Sequence, residues 1–371
     1  MAKYNYDKSS LSGLGVGPFL KEVKVREAKI AEADATPSPS VFNSNILAKK
    51  LHPDFQELTI DKVIDHGSAK EYVFKGDVAY FRAGQYVSLM VDSYVRPYTL
   101  CCKPNTESYS LLIKRTEGGI VSNKILDTWK KGTKVILSTP VGQFYYTDLR
   151  DAKHVIACAG GSGITPFYSM AKAIEAGIED FNLTILYGSN TAKDILLRDE
   201  LDKIKSDKVK VVHVLADKDG FITADMIKKY ANDEDYSLFV CGPNAMYKHL
   251  EKEVEKLGLP RRRVRFEVPG EVFSKRKDKE HKAVVHIRES VKEITINENT
   301  TIARNLENAG IYILTDCRSG HCGYCRSRLI SGDVEVPEDD RRRAADKKFG
   351  WIHPCCTYAK SDIEIEIMPF A

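Results

Sequence analysis

The chain of 371 residues has no long hydrophobic run and little bias of charge. No segment approaches the roughly 18 consecutive apolar residues of a membrane-spanning helix, so we predict no membrane anchor. Residues 1–8 lack the apolar core of a secretion signal, which favours a cytoplasmic protein. The formal net charge of +4 is too small to indicate a nucleic-acid-binding surface, so no nucleic-acid partner is expected.

Nine cysteines are present, and without a secretion signal we expect them in a reducing compartment, where thiols serve metals rather than disulfides. Cys317, Cys322 and Cys325 form a C-x4-C-x2-C pattern, and Cys355 follows after 29 intervening residues. This is the ligand spacing of a plant-type [2Fe–2S] cluster. A structural zinc site is the alternative, but zinc sites of this kind usually pair two C-x2-C knuckles and only one is here. The spacing therefore predicts the cluster.

The surrounding sequence supports this prediction, because residues 283–371 resemble a plant-type ferredoxin domain. A predicted hairpin over 283–296 and a helix over 302–309 precede the cysteine loop. Cys356 competes with Cys355 for the fourth ligand position, and the alignment of the following residues with the ferredoxin family favours Cys355. The resemblance thus implies a cluster held by Cys317, Cys322, Cys325 and Cys355.

Before this domain, the hydrophobic pattern changes twice along the chain. Short alternating strands with turn residues between them predict an antiparallel β-barrel over residues 51–150. Apolar strands that alternate with helical stretches over 151–273 predict an α/β domain with a parallel sheet. Residues 1–50 are predicted to be an N-terminal arm and residues 274–282 a charged linker. The expected fold is multidomain: a β-barrel, an α/β domain and an α+β domain of the β-grasp type.

The barrel segment carries the string Arg96-Pro-Tyr-Thr99, followed about twenty residues later by Gly118-Gly-Ile-Val-Ser122. Both resemble the flavin-binding motifs of the ferredoxin–NADP reductase superfamily. The resemblance implies that the arginine pairs with a flavin phosphate, the tyrosine packs on the isoalloxazine and the threonine bonds near N5. The glycine string would bind a diphosphate at a helix start, which favours FAD over FMN. The implied flavin-binding residues are Arg96, Pro97, Tyr98, Thr99, Gly118, Gly119, Val121 and Ser122.

The α/β segment carries a glycine turn over 160–166 after its first apolar strand and the string Cys241-Gly-Pro-Asn-Ala-Met246 after a later strand. A strand, a glycine turn and a helix start together form a pyrophosphate cradle, although a proline takes the last glycine position of the Rossmann pattern. In the same superfamily, the cysteine lies near the nicotinamide C4. The implied nucleotide-binding residues are Gly161, Gly163, Thr165, Pro166, Cys241, Gly242, Pro243 and Met246.

The choice of nucleotide depends on the loop after Leu186. No arginine or lysine occurs in Ser189-Asn-Thr191, where a 2′-phosphate would need one, and the string resembles NADH-using members of the superfamily. Two basic residues, Lys193 and Arg198, follow this string and could bind a 2′-phosphate, so NADPH is the alternative. Glu267 is a further candidate, because a glutamate at this place approaches the flavin in many members.

These motifs predict an enzyme, an NAD(P)H-dependent flavin iron–sulfur reductase with Thr99, Cys241 and Glu267 as catalytic candidates. It would pass electrons from NAD(P)H through flavin and cluster to a separate acceptor protein, such as an oxygenase component. Two alternatives are a redox-sensing adaptor and reverse flow from a low-potential donor to NAD(P)+. Basic residues near the cluster, Arg318, Arg326 and Arg328, would raise its potential or form a contact patch for an acidic partner.

Overall fold

The computed structural model describes residues 55–367 with short gaps. These gaps are residues 77, 93, 117–118, 233, 268–275, 312, 314, 316–317, 319, 321–322, 337–341 and 343. The predicted arm over residues 1–50 therefore lies outside the described residues. Within the described part of the chain, no helix is both long enough and apolar enough to cross a membrane.

A six-stranded antiparallel sheet forms the first domain, as the alternating pattern predicts. Its strands are β1 (Phe55–Asp65), β2 (Ala69–Lys75), β3 (Tyr86–Val91), β4 (Tyr94–Thr99), β5 (Ser108–Lys114) and β6 (Lys134–Ser138). They lie in the order β4-β3-β6-β1-β2-β5. In β3, Val87, Leu89 and Val91 are buried while the side chains between them are only half-buried. This alternation arises because successive side chains of a strand face opposite sides of the sheet.

Helix α1 (Ile120–Thr128) follows β5 and covers part of this sheet. Its buried residues Val121, Ile125 and Leu126 belong to the core of the first domain. The Tyr72 hydroxyl donates a hydrogen bond of 3.2 Å to the carbonyl oxygen of Ile125. The ring of Tyr72 also packs edge-on against Trp129, just after the helix ends. These contacts fix the helix on the sheet and thereby fix the position of its first turn.

A five-stranded parallel sheet forms the second domain. Its strands are β7 (His154–Gly160), β8 (Asn182–Ser189), β9 (Val209–Leu215), β10 (Tyr236–Cys241) and β11 (Val264–Glu267), in the order β11-β10-β7-β8-β9. The helices between them are α2 (Thr165–Glu175), α3 (Arg198–Asp202), α4 (Ala224–Ala231) and α5 (Asn244–Glu255). All residues of β10 are buried, as expected for a central strand of a parallel sheet with both faces covered.

The direction of strand addition reverses at β7. The chain moves outward from β7 to β8 and β9, and then returns to place β10 on the other side of β7. Ligands of open parallel sheets bind beyond the carboxyl ends of the two strands at such a switch point. Here those ends are Gly160 and Cys241, and Cys241 lies in register with Ala159 of β7.

The third domain has a mixed sheet with a helix packed against it. Its strands are β12 (Glu280–Ile287), β13 (Ser290–Asn297), β14 (Ser327–Ser331), β15 (Val334–Glu335), β16 (Trp351–Ile352), β17 (Tyr358–Ala359) and β18 (Ile363–Ile367). Five of them lie in the order β13-β12-β18-β14-β16, and β15 pairs with β17. Helix α6 (Ile302–Asn308) contributes Leu306 to the core, and α7 (Ala344–Lys348) follows later. The predicted hairpin and helix are both present.

The barrel and the α/β domain share one hydrophobic core. Phe144 of the barrel packs against Phe167 and Phe239 of the α/β domain, with ring centroids 5.8 and 5.2 Å apart. Arg265 of β11 donates to the carbonyl oxygens of residues 143 and 145 and pairs with the fully buried carboxylate of Asp151. Burial lowers the pKa of the Arg265 guanidinium to about 10, so it stays charged at neutral pH. These two domains therefore form one packed unit.

We expect Asp151→Ala to lower the free energy of unfolding by about 3–5 kcal/mol, because removal of one partner of a buried ion pair leaves the other charge uncompensated. Asp180→Ala is the control, since Asp180 pairs with Lys208 at the surface and its loss should change stability by less than about 1 kcal/mol. Urea denaturation followed by circular dichroism measures both. Equal stability of the two variants would contradict the structural role of the buried pair.

Candidate active site

One cavity opens between the barrel and the α/β domain. It is lined by residues 96–99 of β4, by 119–122 at the start of α1, and by Ser162, Gly163, Thr165 and Cys241 of the α/β domain. All of the predicted flavin-binding residues that the structure describes line this cavity, and Gly118 lies outside the described residues. The cavity also brings Thr99 and Cys241, two of the three catalytic candidates, to one place.

The start of α1 gives this cavity an anion-binding end. Gly119 precedes the first helical turn, and a Cβ atom there would lie 2.5 Å from the Ser122 hydroxyl oxygen. Two hydrogen bonds between Asn123 and the backbone of Thr116, of 3.1 and 2.9 Å, hold the chain that enters the helix. The N–H groups of a first helical turn carry partial positive charge, so this end of the cavity suits a phosphate.

Three cationic side chains line the same cavity. Arg96 lies on β4, where its side chain is 16% exposed and lies 3.3 Å from the carboxylate of Glu307. The other two, Lys114 of β5 and Arg304 of the third domain, belong to no recognised motif and were missed by the sequence analysis. A cavity with a helix start at one end and three cations in its wall fits the phosphates of a flavin nucleotide.

A second cavity lies along the carboxyl ends of the parallel strands. Its wall includes Gly188, Ser189, Asn190, Asp194, Phe221, Pro243 and Met246. The glycine turn after β7 serves both cavities, because Gly160 and Gly161 line the second while Ser162 and Gly163 line the first. Lys114 also lines both. The predicted nucleotide and flavin sites are therefore neighbours that share one backbone turn.

The glycine turn packs tightly against the loop that follows β10. A Cβ atom on Gly163 would lie 2.2 Å from the carbonyl oxygen of Cys241, and one on Gly160 would lie 2.6 Å from the Met246 sulfur. Gly242 is confined in the same way, since its Cβ would lie 2.5 Å from that sulfur. At Gly163, where the neighbour is backbone, only glycine permits this approach. The predicted residue Gly163 thus brings the two loops of the switch point into direct contact.

Two tyrosine hydroxyls hold these loops in place. The Tyr187 hydroxyl donates a 2.9 Å hydrogen bond to the carbonyl oxygen of Gly161. The Tyr247 hydroxyl accepts a 3.1 Å bond from the backbone N–H of Gly242. Pro166 is buried in the first turn of α2, where its fixed φ favours helix initiation. The glycine turn is thus held through the Gly161 carbonyl oxygen and leads into a helix start, an arrangement that fits a nucleotide pyrophosphate.

Cys241 is buried at the carboxyl end of β10. Burial raises the pKa of its thiol, and the nearby carboxylate of Glu267 raises it further, so the sulfur stays protonated at neutral pH. Glu267 lies beside Cys241 in the register of β10 and β11. Glu267 is half-buried and is absent from the described walls of both cavities.

The loop after β8 determines the charge at the far end of the second cavity. Asp194 lines this cavity, and its carboxylate accepts hydrogen bonds from the backbone N–H and hydroxyl of Thr191 at 3.0 and 2.9 Å. Lys193 is exposed, and the Nε atom of Arg198 lies 4.0 Å from a carboxylate oxygen of Asp202. Neither basic side chain lines the cavity in the described part of the chain. The loop after β8 therefore contributes a carboxylate and no basic side chain to the described cavity wall, which disfavours a 2′-phosphate at this loop.

The cysteine site lies in the core of the third domain. Cys325 and Cys355 are 3% and 1% exposed and belong to one hydrophobic cluster, whereas Cys317 and Cys322 lie outside the described residues. Gly320 and Gly323 have φ values of +82° and +76° between these ligands. This left-handed backbone suits a loop that folds tightly round a cluster. Buried cysteines beside a glycine-bent loop fit a [2Fe–2S] centre.

Cys355 and Cys356, and the three arginines near the cysteine site, have different surroundings. The Cys356 thiol donates a hydrogen bond of 3.4 Å to the carbonyl oxygen of His353. Arg318 is only 1% exposed, so the predicted contact patch does not include it. Arg326 pairs with Asp346 and lies over the Trp351 ring, while Arg328 is exposed.

Family comparisons divide the chain into three parts. The oxidoreductase FAD-binding domain matches residues 71–146, the oxidoreductase NAD-binding domain matches residues 158–252, and the 2Fe-2S iron-sulfur cluster binding domain matches residues 285–360. Each match falls on the cavity or cysteine site that the geometry assigns to that cofactor. The predicted cofactors FAD, NAD(H) and [2Fe–2S] are thereby confirmed.

Individual relatives match different shares of the chain. The chain is 30% identical to flavohemoprotein A of Dictyostelium discoideum, over 58% of this chain but only 61% of that protein. It is 26% identical to the glycine betaine monooxygenase reductase subunit of Chromohalobacter salexigens, over 77% of this chain and 87% of the relative. The solved structure of phthalate dioxygenase reductase superposes with a TM-score of 0.68 at 25% identity, covering 85% of this chain and 98% of that one. The chain belongs to the ferredoxin–NADP reductase superfamily, among the NAD(P)H-dependent flavin reductases that carry a C-terminal [2Fe–2S] domain.

Proposed function

We propose that this protein is the reductase component of an oxygenase or a similar redox system. It takes electrons from NADH, passes them through FAD to the [2Fe–2S] centre and delivers them to a separate acceptor protein. The observation that carries this proposal is the glycine turn shared by the flavin and nucleotide cavities. In support, phthalate dioxygenase reductase is described as a modular structure for electron transfer from pyridine nucleotides to [2Fe–2S]. The similarity to a monooxygenase reductase subunit favours an oxygenase component as the acceptor.

The flavin site is assigned by residue roles. Arg96 and the first turn of α1 after Gly119 bind phosphate, because both present N–H donors to the cavity. Tyr98 packs on the ring system and excludes water, and the Thr99 hydroxyl donates a hydrogen bond to the reactive edge of the ring. When bound, the flavin supplies the conversion of a two-electron donor into single-electron steps.

The nucleotide site orients the donor. The turn over 161–166 binds the pyrophosphate, and Pro243 and Met246 form the wall on which the nicotinamide end is placed. Cys241, kept protonated by burial, excludes water and charge from the place where the two rings meet. Glu267 acts beside it and maintains the protonated thiol through its own charge.

We place the protein in the cytoplasm. The described cysteines form no disulfide with each other, which is typical of a reducing compartment. The proposed direction is from NADH to the cluster, in line with phthalate dioxygenase reductase, which is described as a structure for electron transfer from pyridine nucleotides to [2Fe–2S].

An anaerobic titration tests this function. Stepwise addition of NADH should bleach the flavin absorbance and produce the EPR signal of a reduced [2Fe–2S] cluster. NADPH in a parallel titration serves as the comparison. Bleaching without a cluster signal would contradict forward electron delivery, and failure of NADH to bleach the flavin would contradict the proposed function as a whole.

Nucleotide preference should respond to Asp194. We expect Asp194→Asn to raise the ratio of kcat/KM for NADPH over NADH by about fivefold, because an exposed like-charge contact costs up to about 1 kcal/mol. The lost hydrogen bonds to Thr191 affect both nucleotides, so the ratio isolates the charge effect. Asp217→Asn, which removes an exposed carboxylate outside the described cavity wall, is the matched control. An unchanged ratio in Asp194→Asn would show that this carboxylate does not face the ribose.

The fourth cluster ligand is assigned to Cys355. We expect Cys355→Ser to lose the visible absorbance and bound iron of the cluster, because one of the four thiolates is removed. Cys356→Ser should keep both, since the Cys356 thiol donates to the His353 carbonyl oxygen. Iron content and visible spectra of the purified variants check this. Retention of the cluster in Cys355→Ser with its loss in Cys356→Ser would reverse the assignment.

A further inference from the structure

Helix α6 of the third domain touches the barrel at the flavin cavity. Arg304 lines that cavity, and Glu307 lies one helical turn later on the same face. The Glu307 carboxylate lies 3.3 Å from the Arg96 guanidinium, which belongs to the flavin-phosphate motif. The Tyr94 hydroxyl, also on β4, donates a 2.8 Å hydrogen bond to the side chain of Asn308. One strand of the flavin domain is thus joined to one helix of the cluster domain.

Glu307 has a second arginine on its other side. The Arg318 guanidinium donates two hydrogen bonds to the two carboxylate oxygens of Glu307, of 2.7 and 2.9 Å. This fork geometry is the strong and directional form of an arginine–carboxylate pair. The side chains of Arg318 and Glu307 are 0% and 4% exposed. Arg318 directly follows the predicted ligand Cys317 in the sequence, so this ion pair holds the residue next to that ligand.

We propose that Glu307 is the positioning residue that fixes the cysteine loop relative to the flavin site. Its single carboxylate joins Arg96 of the flavin motif to Arg318 of the cluster loop. This inference rests on the proposed function, because it concerns the step from flavin to cluster. The sequence alone gives no sign of it, since the three residues lie far apart along the chain and meet only in the folded protein.

The location of the contact favours this role over simple stabilisation of the third domain. A buried pair needed only for local stability would connect residues of one domain, as Glu298 does with His281 and Lys360 at 3.3 and 2.6 Å. Glu307 instead bonds across the boundary to a residue that lines the flavin cavity. Electron transfer between two centres slows as their separation grows, so a link that fixes the cysteine loop against the flavin site has a direct effect on the transfer rate.

The test compares variants of the full-length holoenzyme. Glu307→Gln keeps the size of the side chain but removes the charge that both arginines share. Glu298→Gln is the matched control, because Glu298 is a buried, paired carboxylate of the same domain that lies outside the flavin cavity wall. Tyr94→Phe removes the second link between β4 and α6 without changing the contact between Glu307 and Arg318.

Two readouts are needed. Anaerobic stopped-flow with NADH separates flavin reduction from cluster reduction by wavelength. We expect Glu307→Gln to lower the ratio of the cluster rate to the flavin rate severalfold, because the cysteine loop is no longer fixed against the flavin site, and Glu298→Gln to leave it unchanged. Hydrogen–deuterium exchange of the oxidised holoenzyme should become faster in α6 and β4 of Glu307→Gln, and this readout needs no turnover.

The outcomes separate this inference from the proposed function. If the wild-type cluster is not reduced by NADH, the proposed function fails, and the exchange experiment still decides whether Glu307 joins the two domains. If Glu307→Gln retains full iron, an unchanged rate ratio and unchanged exchange in β4, the inference is overturned. If Glu307→Gln loses its cluster, Glu307→Asp decides, because it keeps a charge beside Arg318 but is too short to hold both arginines. A lower rate ratio with full iron supports the link, and a wild-type ratio overturns it.

Discussion

The contact between the glycine turn and the loop after β10 is the constraint on which the rest of the site depends. Gly163 and the Cys241 carbonyl oxygen are so close that a methyl group would not fit between them. This contact lies at the switch point of the parallel sheet, where the strands diverge and a crevice must open. Both cavities use the same turn, so the nucleotide and flavin sites cannot move independently. Their relative position is determined by backbone packing, before any cofactor contributes.

The three domains are joined in two different ways. The barrel and the α/β domain share an apolar core with a buried ion pair between Asp151 and Arg265. The cluster domain meets the barrel through polar side chains at one helix, with Glu307 between two arginines. Apolar packing stabilises in proportion to the area buried, whereas a hydrogen-bonded ion pair fixes the orientation of the groups that it joins. The apolar core therefore holds the flavin and nucleotide cavities together, and the ion pairs of Glu307 fix the orientation of the cluster domain relative to the flavin cavity.

Much of this organisation could be predicted from the sequence because the key groups are consecutive. The flavin string from Arg96, the glycine turn and the cysteine spacing each lie within one short segment, and strand periodicity distinguishes the antiparallel from the parallel sheet. Lys114, Arg304 and Glu307 could not be found in this way, because they act only where separate domains meet. Arg318 shows the opposite error. Its charge predicted either an effect on the cluster potential or a place in a contact patch, and its burial against the Glu307 carboxylate excludes the contact patch.

The core shared by the first two domains limits where such chains can be recombined. Arg265, in the last strand of the α/β domain, bonds backbone oxygens that the barrel supplies just before the predicted boundary near residue 150. A recombination break there would give a chimera in which Arg265 and the aromatic cluster around Phe144 contact residues from an unrelated chain. A break near the predicted linker would separate no such core. We therefore expect recombination among relatives to transfer the barrel and the α/β domain together as one unit. The cluster domain can be gained or lost separately.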